Sequence, residues 1–383
     1  MLDHIEEAIE AIQRGEVIIV VDDEDRENEG DFLTAARNAT PEVINFMATH
    51  GRGLICAPLL EERCDALGLE LMVNQNNAAY ETPFTVSVDL IGHGCTTGIS
   101  AADRSKTIHA LIDPKTTKEE LGKPGHIFPL RAKQGGVLRR AGHTEAAVDF
   151  ARLAGFEPAG VIVEIMNEDG TMARLKDCRK IADEWNLRLV SIADLIAFRL
   201  KNETLIEKVE EVQLETLFGT LRILAFKQTT NETIHLAVVK GTPDVESPTP
   251  VRVHSSSMIG DVFQLTTHGK GPQLQSALDV IGQRDSGVVV YINKLRSGGG
   301  LLDELRAYKN MSTQPDDNRS QNAVKSRIAH PMDSKDYGIG AQILREVGVG
   351  KIELLTDSVR KTGPIGYGLE IVSTTPLGSI PAR

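Results

Sequence analysis

Only four cysteines occur in 383 residues, Cys56, Cys64, Cys95 and Cys178, all in the first half and with no CxxC spacing. That scarcity excludes a disulfide-stapled fold and makes reduced thiols the default. No apolar stretch approaches the roughly 20 residues of a membrane helix. The chain opens on an amphipathic run, His4 to Ile12, without a signal-peptide layout, so a cytoplasmic location with no membrane partner is expected. Positive charge is also in short supply. Lys and Arg number 42 against 54 Asp and Glu, a net charge of −12, which argues against nucleic acid as the main partner. It leaves room for an anionic substrate, because arginines and metal ions reverse the sign locally. Internal repeats and coiled-coil runs are missing as well. At this length, with 41% hydrophobic residues, the chain exceeds one ordinary core, and two domains are expected.

What is abundant is acid in one place. Asp22, Asp23, Glu24, Asp25, Glu27, Glu29 and Asp31 follow the buried-strand pattern Val17-Ile18-Ile19-Val20-Val21, and a single Arg26 lies among them. Either the run is a solvated acidic turn, or a hard divalent cation with oxygen ligands, such as magnesium, relieves the repulsion. An EF-hand does not fit, since the sixth position counted from Asp23 is Asn28 and not glycine.

A second segment, Leu138-Arg139-Arg140-Ala141-Gly142-His143-Thr144-Glu145-Ala146-Ala147, opens an Ala-rich amphipathic run reaching Gly155. Thr144 is the expected N-cap, and helix-start donors beside two guanidinium groups form an anion site, most simply for phosphate. His143 stands at its mouth as a hydrogen-bonded loop histidine or as a metal ligand. Between the two segments, Ser100 and Asp103 read as a capping box. Lys123 to Leu130 reads as a loop stiffened by two prolines and carrying His126. Glu164 ends the apolar strand pattern from Gly160, where a carboxylate is costly unless paired, protonated or used. Cys56 is either a site-lining or a core thiol.

These residues resemble, in order and at length, the 3,4-dihydroxy-2-butanone 4-phosphate synthase family of riboflavin biosynthesis. The match runs through Asp23 to Asp31, Thr96-Thr97-Gly98-Ile99-Ser100-Ala101-Ala102-Asp103-Arg104, Gly125-His126 with Phe128-Pro129, and Arg140 to Ala146. The resemblance implies a lyase, converting D-ribulose 5-phosphate to L-3,4-dihydroxy-2-butanone 4-phosphate and formate with two magnesium (or manganese) ions per site. It implies that Glu27 and His143 hold metal, and that Arg26, Glu27, Asp31, Arg140, Ala141, Gly142, His143, Thr144 and Glu164 hold the sugar phosphate. It further implies that His126 and Glu164 act in catalysis, and that two copies form a homodimer sharing residues at each site. Cys95 and Gly92-His93-Gly94 depart from the usual residues ahead of Thr96.

The expected fold is α/β throughout: a mixed sheet with flanking helices over residues 1–202, then a second α/β domain over 208–383. Leu189 to Leu200 reads as a closing helix, Lys201 to Val212 as a charged connector, and Thr216 to Phe226 as a fresh strand. Ser312 to Asn322 reads as a polar loop. The second half resembles GTP cyclohydrolase II through Val251 to Ser255, Gly260 to Phe263, Asp336 to Leu344, Leu354 to Thr356 and Gly366 to Glu370. The positions matching that family's three zinc-binding cysteines hold Ser257, His268 and Lys270, so no zinc is expected. Leu295-Arg296-Ser297 replaces a Glu-Gly-Arg segment, and Lys335 stands for the arginine nucleophile, while Asp333, Thr356 and Lys361 persist. Three readings follow for this half: an inactive domain used for assembly or control, a working cyclohydrolase with an unusual site, or a sensor of a nucleotide or flavin using Arg252, Thr356 and Lys361.

Overall fold

The structure is a computed structural model that describes the chain except residues 1, 25, 74, 79, 81, 264–270, 294–304, 306–308, 310–333, 358–368 and 378–383, and the side chains of 271, 272, 334 and 335. Asp25, His268, Lys270, Leu295 to Ser297, the loop 312–322, Asp333, Lys361, Gly366 to Gly368 and the Lys335 side chain therefore lie outside the described residues. The described residues form two compact units, dividing between Arg199 and Leu200.

In the first unit, strands β1 (Ile18–Val21), β2 (Gly30–Ala35), β3 (Cys56–Leu60), β4 (Val88–Leu90), β5 (Leu121–Ala132), β6 (Gly160–Glu164) and β7 (Leu189–Ser191) form one sheet in the order β4-β5-β3-β6-β2-β1-β7. β5 lies parallel to β3 and β7 to β1, while the other pairings are antiparallel, so the sheet is mixed as expected. The helices are α1 (Ile5–Gln13), α2 (Pro41–Gly51), α3 (Glu61–Ala66), α4 (Ala101–Ile112), α5 (His143–Leu153), α6 (Leu175–Trp185) and α7 (Ile192–Asn202). Strand alternation sorts the side chains. Ile19, Val21, Phe32, Val161 and Val163 join one core with Ile44 and Met47 of α2 and Ile108 of α4. α5 packs on β2, β6, β3 and β5. It is buried from His143 through Ala151, and its small side chains allow a close approach: a Cβ on Gly160 would lie 2.7 Å from the Ala147 methyl.

Several boundaries differ from the sequence reading. Lys123 to Leu130 belongs to β5 rather than to a loop, because its backbone pairs with β3 and β4 despite the prolines. Leu189 to Ser191 is a strand, with the closing helix starting at Ile192. The charged stretch 201–212 is not a connector: α7 runs to Asn202 and a strand begins at Ile206. Charge masked that strand because only Ile206 of it is buried.

The second unit holds β8 (Ile206–Thr216), β9 (Gly219–Gln228), β10 (Ile234–Lys240), β11 (Pro248–Ser255), β12 (Gly287–Ile292), β13 (Lys351–Leu355) and β14 (Glu370–Thr375), in the order β14-β13-β11-β12-β10-β9-β8. Helices α8 (Met258–Phe263), α9 (Gly271–Gly282) and α10 (Ser334–Glu346) accompany this second mixed sheet. Ala277 and Ile281 of α9 pack with Val289 and Leu355. The α/β expectation thus holds in both units.

A buried ion pair closes the first unit. Arg199 of α7 donates to Asp149 of α5 at 2.8 Å and to the Gly135 carbonyl at 2.8 Å, with both paired side chains no more than 5% exposed. Burial pushes the Asp149 carboxyl up to about 6 even though Arg199 opposes it. Asp149 also accepts the Val137 N–H at 2.8 Å, which ties down the turn ahead of Arg140. Arg199→Ala strands this carboxylate and is expected to cost about 3–5 kcal/mol of stability. Denaturant unfolding checks this, and a loss below about 1 kcal/mol contradicts the argument.

Candidate functional site

The acidic run is the turn between β1 and β2, and its repulsion is managed by saturation. The Asp22 side chain, 1% exposed, spends both oxygens inside the turn. Oδ1 accepts the Glu29 N–H at 2.9 Å; Oδ2 accepts the Glu27 N–H at 3.1 Å and the Arg26 guanidinium at 2.8 Å. Arg26 also bonds Glu27 Oε2 at 2.8 Å and lies 5.4 Å from the centre of the Tyr80 ring, whose hydroxyl donates to the Arg26 carbonyl. Arg174 donates to the Glu27 and Asn28 carbonyls from outside the turn. Glu27 is left facing inward.

α5 begins where the turn ends. Its N-cap is Gly142, not Thr144; Thr144 is the second helical residue and is buried. His143 is likewise no loop residue but the first of the helix, 6% exposed. Its Nε2–H donates to the Val20 carbonyl at 3.1 Å, which turns Nδ1 toward the acids, where a metal ion would displace its proton. Nδ1 lies 3.8 Å from Glu27 Oε2 and 3.9 Å from Asp31 Oδ1. Ligands on a magnesium ion with bonds of about 2.1 Å stand roughly 3.0 Å apart as neighbours and 4.2 Å apart when opposite, so this spacing suits a shared ion. Asp22, Glu27 and His143 form the group whose ligand atoms all lie within 4.8 Å of one another. The Asp22 oxygens are already committed to the turn, which leaves Glu27 and His143 as donors, with Asp31 3.9 Å from His143 Nδ1. Hard oxygens with one imidazole suit magnesium or manganese.

The electrostatics show how short of positive charge the cluster is. Burial pushes the Asp31 carboxyl up to about 7; Glu164, Glu27 and Glu29 add to this, and His143 opposes it. Burial raises Glu29 as well, with help from Glu27. Although burial alone would lower His143, the carboxylates of Asp31, Glu27 and Asp22 outweigh it and raise the imidazole to about 9. His143, with Arg26 behind it, holds Glu27 below the usual carboxylate range against its burial.

Next to these donors is a cationic pair, though not the one expected. Arg139 is exposed; the two guanidiniums at the helix start are Arg140 and Arg26. A Cβ on Gly142 would lie 2.4 Å from Arg140 Nη1 and 3.1 Å from Arg26 Nη2. Arg140 is held by Glu145 at 2.8 Å and by the Tyr80 carbonyl at 2.9 Å. Ala141 is half-buried in the preceding turn.

Glu164 pairs with Asp31 across the β6–β2 ladder, and its Oε2 accepts the Leu54 N–H at 2.9 Å. Gly53 passes so close that a Cβ there would lie 2.5 Å from the Glu164 carbonyl oxygen and 2.6 Å from its Oε2. A cleft of about 130 Å³ thus gathers Arg26, Glu27, Asp31, Arg140, His143, Thr144 and Glu164, with Cys56 on its wall. Burial, with Glu164 and Asp31 adding, raises the Cys56 thiol well above its usual value, so it is an inert wall group rather than a thiolate. Sequence reasoning missed Glu29, Thr82, Phe84, Leu130 and Ile162 as lining residues; Glu29 sat within the acidic run unassigned, Leu130 and Ile162 read only as parts of their segments, and Thr82 and Phe84 carried no signal.

His126 is not brought into this cleft. It lies on β5, 43% exposed on its side chain, with ring Nδ1 2.7 Å from Asp89 Oδ2. Ser100 does cap α4, accepting the Asp103 N–H at 3.0 Å. Only that half of the box forms, because the Asp103 carboxylate is taken by Thr96 and Gly98.

Two outcomes test this geometry. Glu27→Gln should weaken magnesium binding by about tenfold or more, read by titration calorimetry; unchanged affinity would remove Glu27 from the ligand set. Gly53→Ala should leave that affinity intact yet lower turnover by at least roughly tenfold by displacing Glu164, and normal turnover would show that the close approach is unimportant.

Comparison with known proteins agrees with the sequence resemblance. The model of the family 3,4-dihydroxy-2-butanone 4-phosphate synthase matches residues 6–198, and that of GTP cyclohydrolase II matches residues 207–376. Riboflavin biosynthesis protein RibBA of Cytophaga hutchinsonii is 55% identical over 377 residues, 98% of this chain and 92% of that protein. RibBA of Porphyromonas gingivalis is 49% identical over 100% of this chain and 94% of its own length. Among solved structures, RibBX, a two domain 3,4-dihydroxy-2-butanone 4-phosphate synthase from A. baumannii, is similar at a TM-score of 0.75 and 38% identity over 98% of this chain and 99% of that one. A synthase in complex with two magnesium ions is similar at a TM-score of 0.50 and 43% identity, over 52% of this chain and 98% of its own.

Proposed function

The chain belongs to the 3,4-dihydroxy-2-butanone 4-phosphate synthase family of riboflavin biosynthesis, and from this premise we propose that the cleft at the start of α5 is where D-ribulose 5-phosphate becomes L-3,4-dihydroxy-2-butanone 4-phosphate and formate. One observation carries the assignment to this cleft: the open donors Glu27, His143 and Asp31 face the same space as the paired guanidiniums of Arg26 and Arg140. Magnesium held there supplies Lewis acidity for oxygens that gain negative charge as the carbon skeleton shifts. Arg26, Arg140 and the N–H groups opening α5 hold the phosphate. Glu164, steadied by the Leu54 N–H, moves protons at the carbon skeleton. Glu164→Gln is expected to lower kcat about a hundredfold with little change in KM. A variant that loses activity only in proportion to its unfolded fraction would make Glu164 a structural residue.

His126 completes the proton transfers from a second copy, in a homodimer whose sites draw on both chains. Its exposure outside its own cleft supports this reading. Mixing inactive Glu27→Gln and His126→Ala proteins through an unfolding and refolding cycle should restore about a quarter of wild-type activity, since half the random dimers carry one intact site of two. No restoration would place both residues in one chain.

The second half is, in this reading, not a cyclohydrolase. The residues present do not fit a catalytic zinc: residues 179–383 contain no cysteine, and the matching positions are Ser257, His268 and Lys270. Ser257 instead caps α8, its hydroxyl accepting the Gly260 N–H at 3.0 Å. Similarity to the two-domain synthase RibBX over nearly all of both chains supports the same view. The bifunctional reading is favoured by the family match over residues 207–376 and by the RibBA relatives. Metal analysis and a GTP assay in the Glu27→Gln background separate them. Neither stoichiometric zinc nor GTP-dependent formate is expected, and formate tracking bound zinc would establish the bifunctional enzyme.

A further inference from the structure

The peptide between Glu27 and Asn28 is held from outside the acidic turn, and by one nitrogen. Arg174 Nη1 donates to the Glu27 carbonyl at 2.9 Å and to the Asn28 carbonyl as well. Asp22 meanwhile takes the N–H groups of Glu27 and Glu29. The turn thus gives its carbonyls to a cation and its N–H groups to an anion. Asn28 sits between them at φ +55°, a left-handed conformation that asparagine tolerates better than most residues but only glycine takes freely. Turning the Glu27–Asn28 peptide over would return Asn28 to a negative φ, and it would carry the Glu27 carbonyl off Arg174. The neighbours of Asn28, Glu27 and Glu29, both line the cleft, so the backbone of this one residue sets the spacing of two carboxylates.

The seat of Arg174 is built onto the end of the same turn. Arg174 is the N-cap of α6, and its own N–H goes to Asp177 Oδ2 at 3.3 Å. Just ahead of it, the Ala173 N–H reaches the Ile165 carbonyl at 2.9 Å, and the Ile165 N–H reaches the Gly30 carbonyl at 2.9 Å. The chain entering α6 is therefore tied, through the residue that follows β6, to the first residue of β2. One turn into the helix, the buried Cys178 lies so close to Gly30 that a Cβ there would stand 2.3 Å from Sγ. The bare Cα of Gly30 is what lets the start of α6 come up against the turn.

We propose that Arg174 is a positioning residue of the metal site, a clamp that keeps Asn28 in its left-handed conformation and so holds Glu27 ready for magnesium before the ion arrives. The proposal rests on the reading of Glu27 as a magnesium ligand. Arg174 is not on the cleft wall. It acts by raising the population of the metal-ready turn, and apparent affinity follows that population: a tenfold loss corresponds to about one turn in ten being metal-ready without the clamp. Because a single nitrogen serves both carbonyls, the ammonium of a lysine can take its place.

Magnesium binding to the full chain, read by titration calorimetry, tests this. Arg174→Ala should weaken binding about tenfold, while kcat at saturating magnesium stays within about threefold of wild type because bound metal restores the turn. Arg174→Lys should recover most of the affinity. So should Asn28→Gly in the Arg174→Ala background, since glycine takes a positive φ at no steric cost. Wild-type affinity in Arg174→Ala overturns the clamp, and so does a loss that Asn28→Gly fails to reverse, because Arg174 would then act otherwise than through the Asn28 backbone. Should Arg174→Ala fail to fold, Arg174→Met keeps the stem without the donors and is held to the same outcomes. Weakened binding in Glu27→Gln with none in Arg174→Ala sinks the clamp alone. Unchanged affinity in Glu27→Gln falls on the reading of Glu27 as a ligand and takes the proposal with it.

Discussion

The first unit is organised around the need to neutralise carboxylates at the end of a buried strand. β1 runs fully buried to Val21, and the turn that follows brings Asp22, Glu27, Glu29 and Asp31 back over it. Their charge is answered in three ways. Asp22 is saturated by two N–H groups and Arg26, Glu27 leans on His143 and Arg26, and Asp31 and Glu29 have their ionisation suppressed by burial. The position of α5 follows, because its first residue must supply the imidazole and its N-terminus the field that these acids require. Tyr80 joins the same arrangement, bonding the carbonyl of Arg26 and accepting from Arg140.

Much of this was legible in the chain. Clustered acid after a Val/Ile run, and arginine with glycine ahead of an alanine-rich stretch, are local signals of a turn and a helix start. The structure brings both ends to one cleft, which no periodicity reveals. Other features escaped because they are non-local. Arg26 replaces Arg139 in the cationic pair since the β1–β2 turn folds back on α5. Gly142 caps that helix because its bare Cα clears two guanidiniums, whereas Thr144 is pointed inward. Pro124 and Pro129 argued for a loop, but β5 is gripped from both sides by β3 and β4. The capping box at Ser100 is half formed because Asp103 answers a longer-range demand from Thr96 and Gly98.

The second unit holds a buried polar network centred on Asp261. His254, 2% exposed, is bonded to Asp261 at 2.8 Å; the same carboxylate receives the Tyr291 hydroxyl at 2.8 Å and the Ser257 N–H at 2.9 Å. Burial opposes the ionised form of Asp261, but His254, Ser257 and Tyr291 hold its carboxyl below the usual range. Arg252 on the same strand reaches the Leu355 carbonyl at 3.0 Å and Gln273 at 2.8 Å, tying β11 to β13 and α9. These bonds link β11, β12, β13, α8 and α9 through side chains as well as through the sheet ladder.

Strand β8 has a consequence in time as well as in space. It lies at the edge of the second sheet with Val209, Val212 and Leu214 each 44–46% exposed, interleaved with Glu207, Lys208, Glu210, Glu211 and Glu215. During synthesis it is the first strand of that sheet to leave the ribosome, and it must wait for β9 before any of its backbone is paired. A purely apolar strand would spend that interval as a template for other nascent chains. The glutamates that add nothing to the finished core keep the unpaired strand soluble until its hairpin closes, so the order of translation is written into its surface.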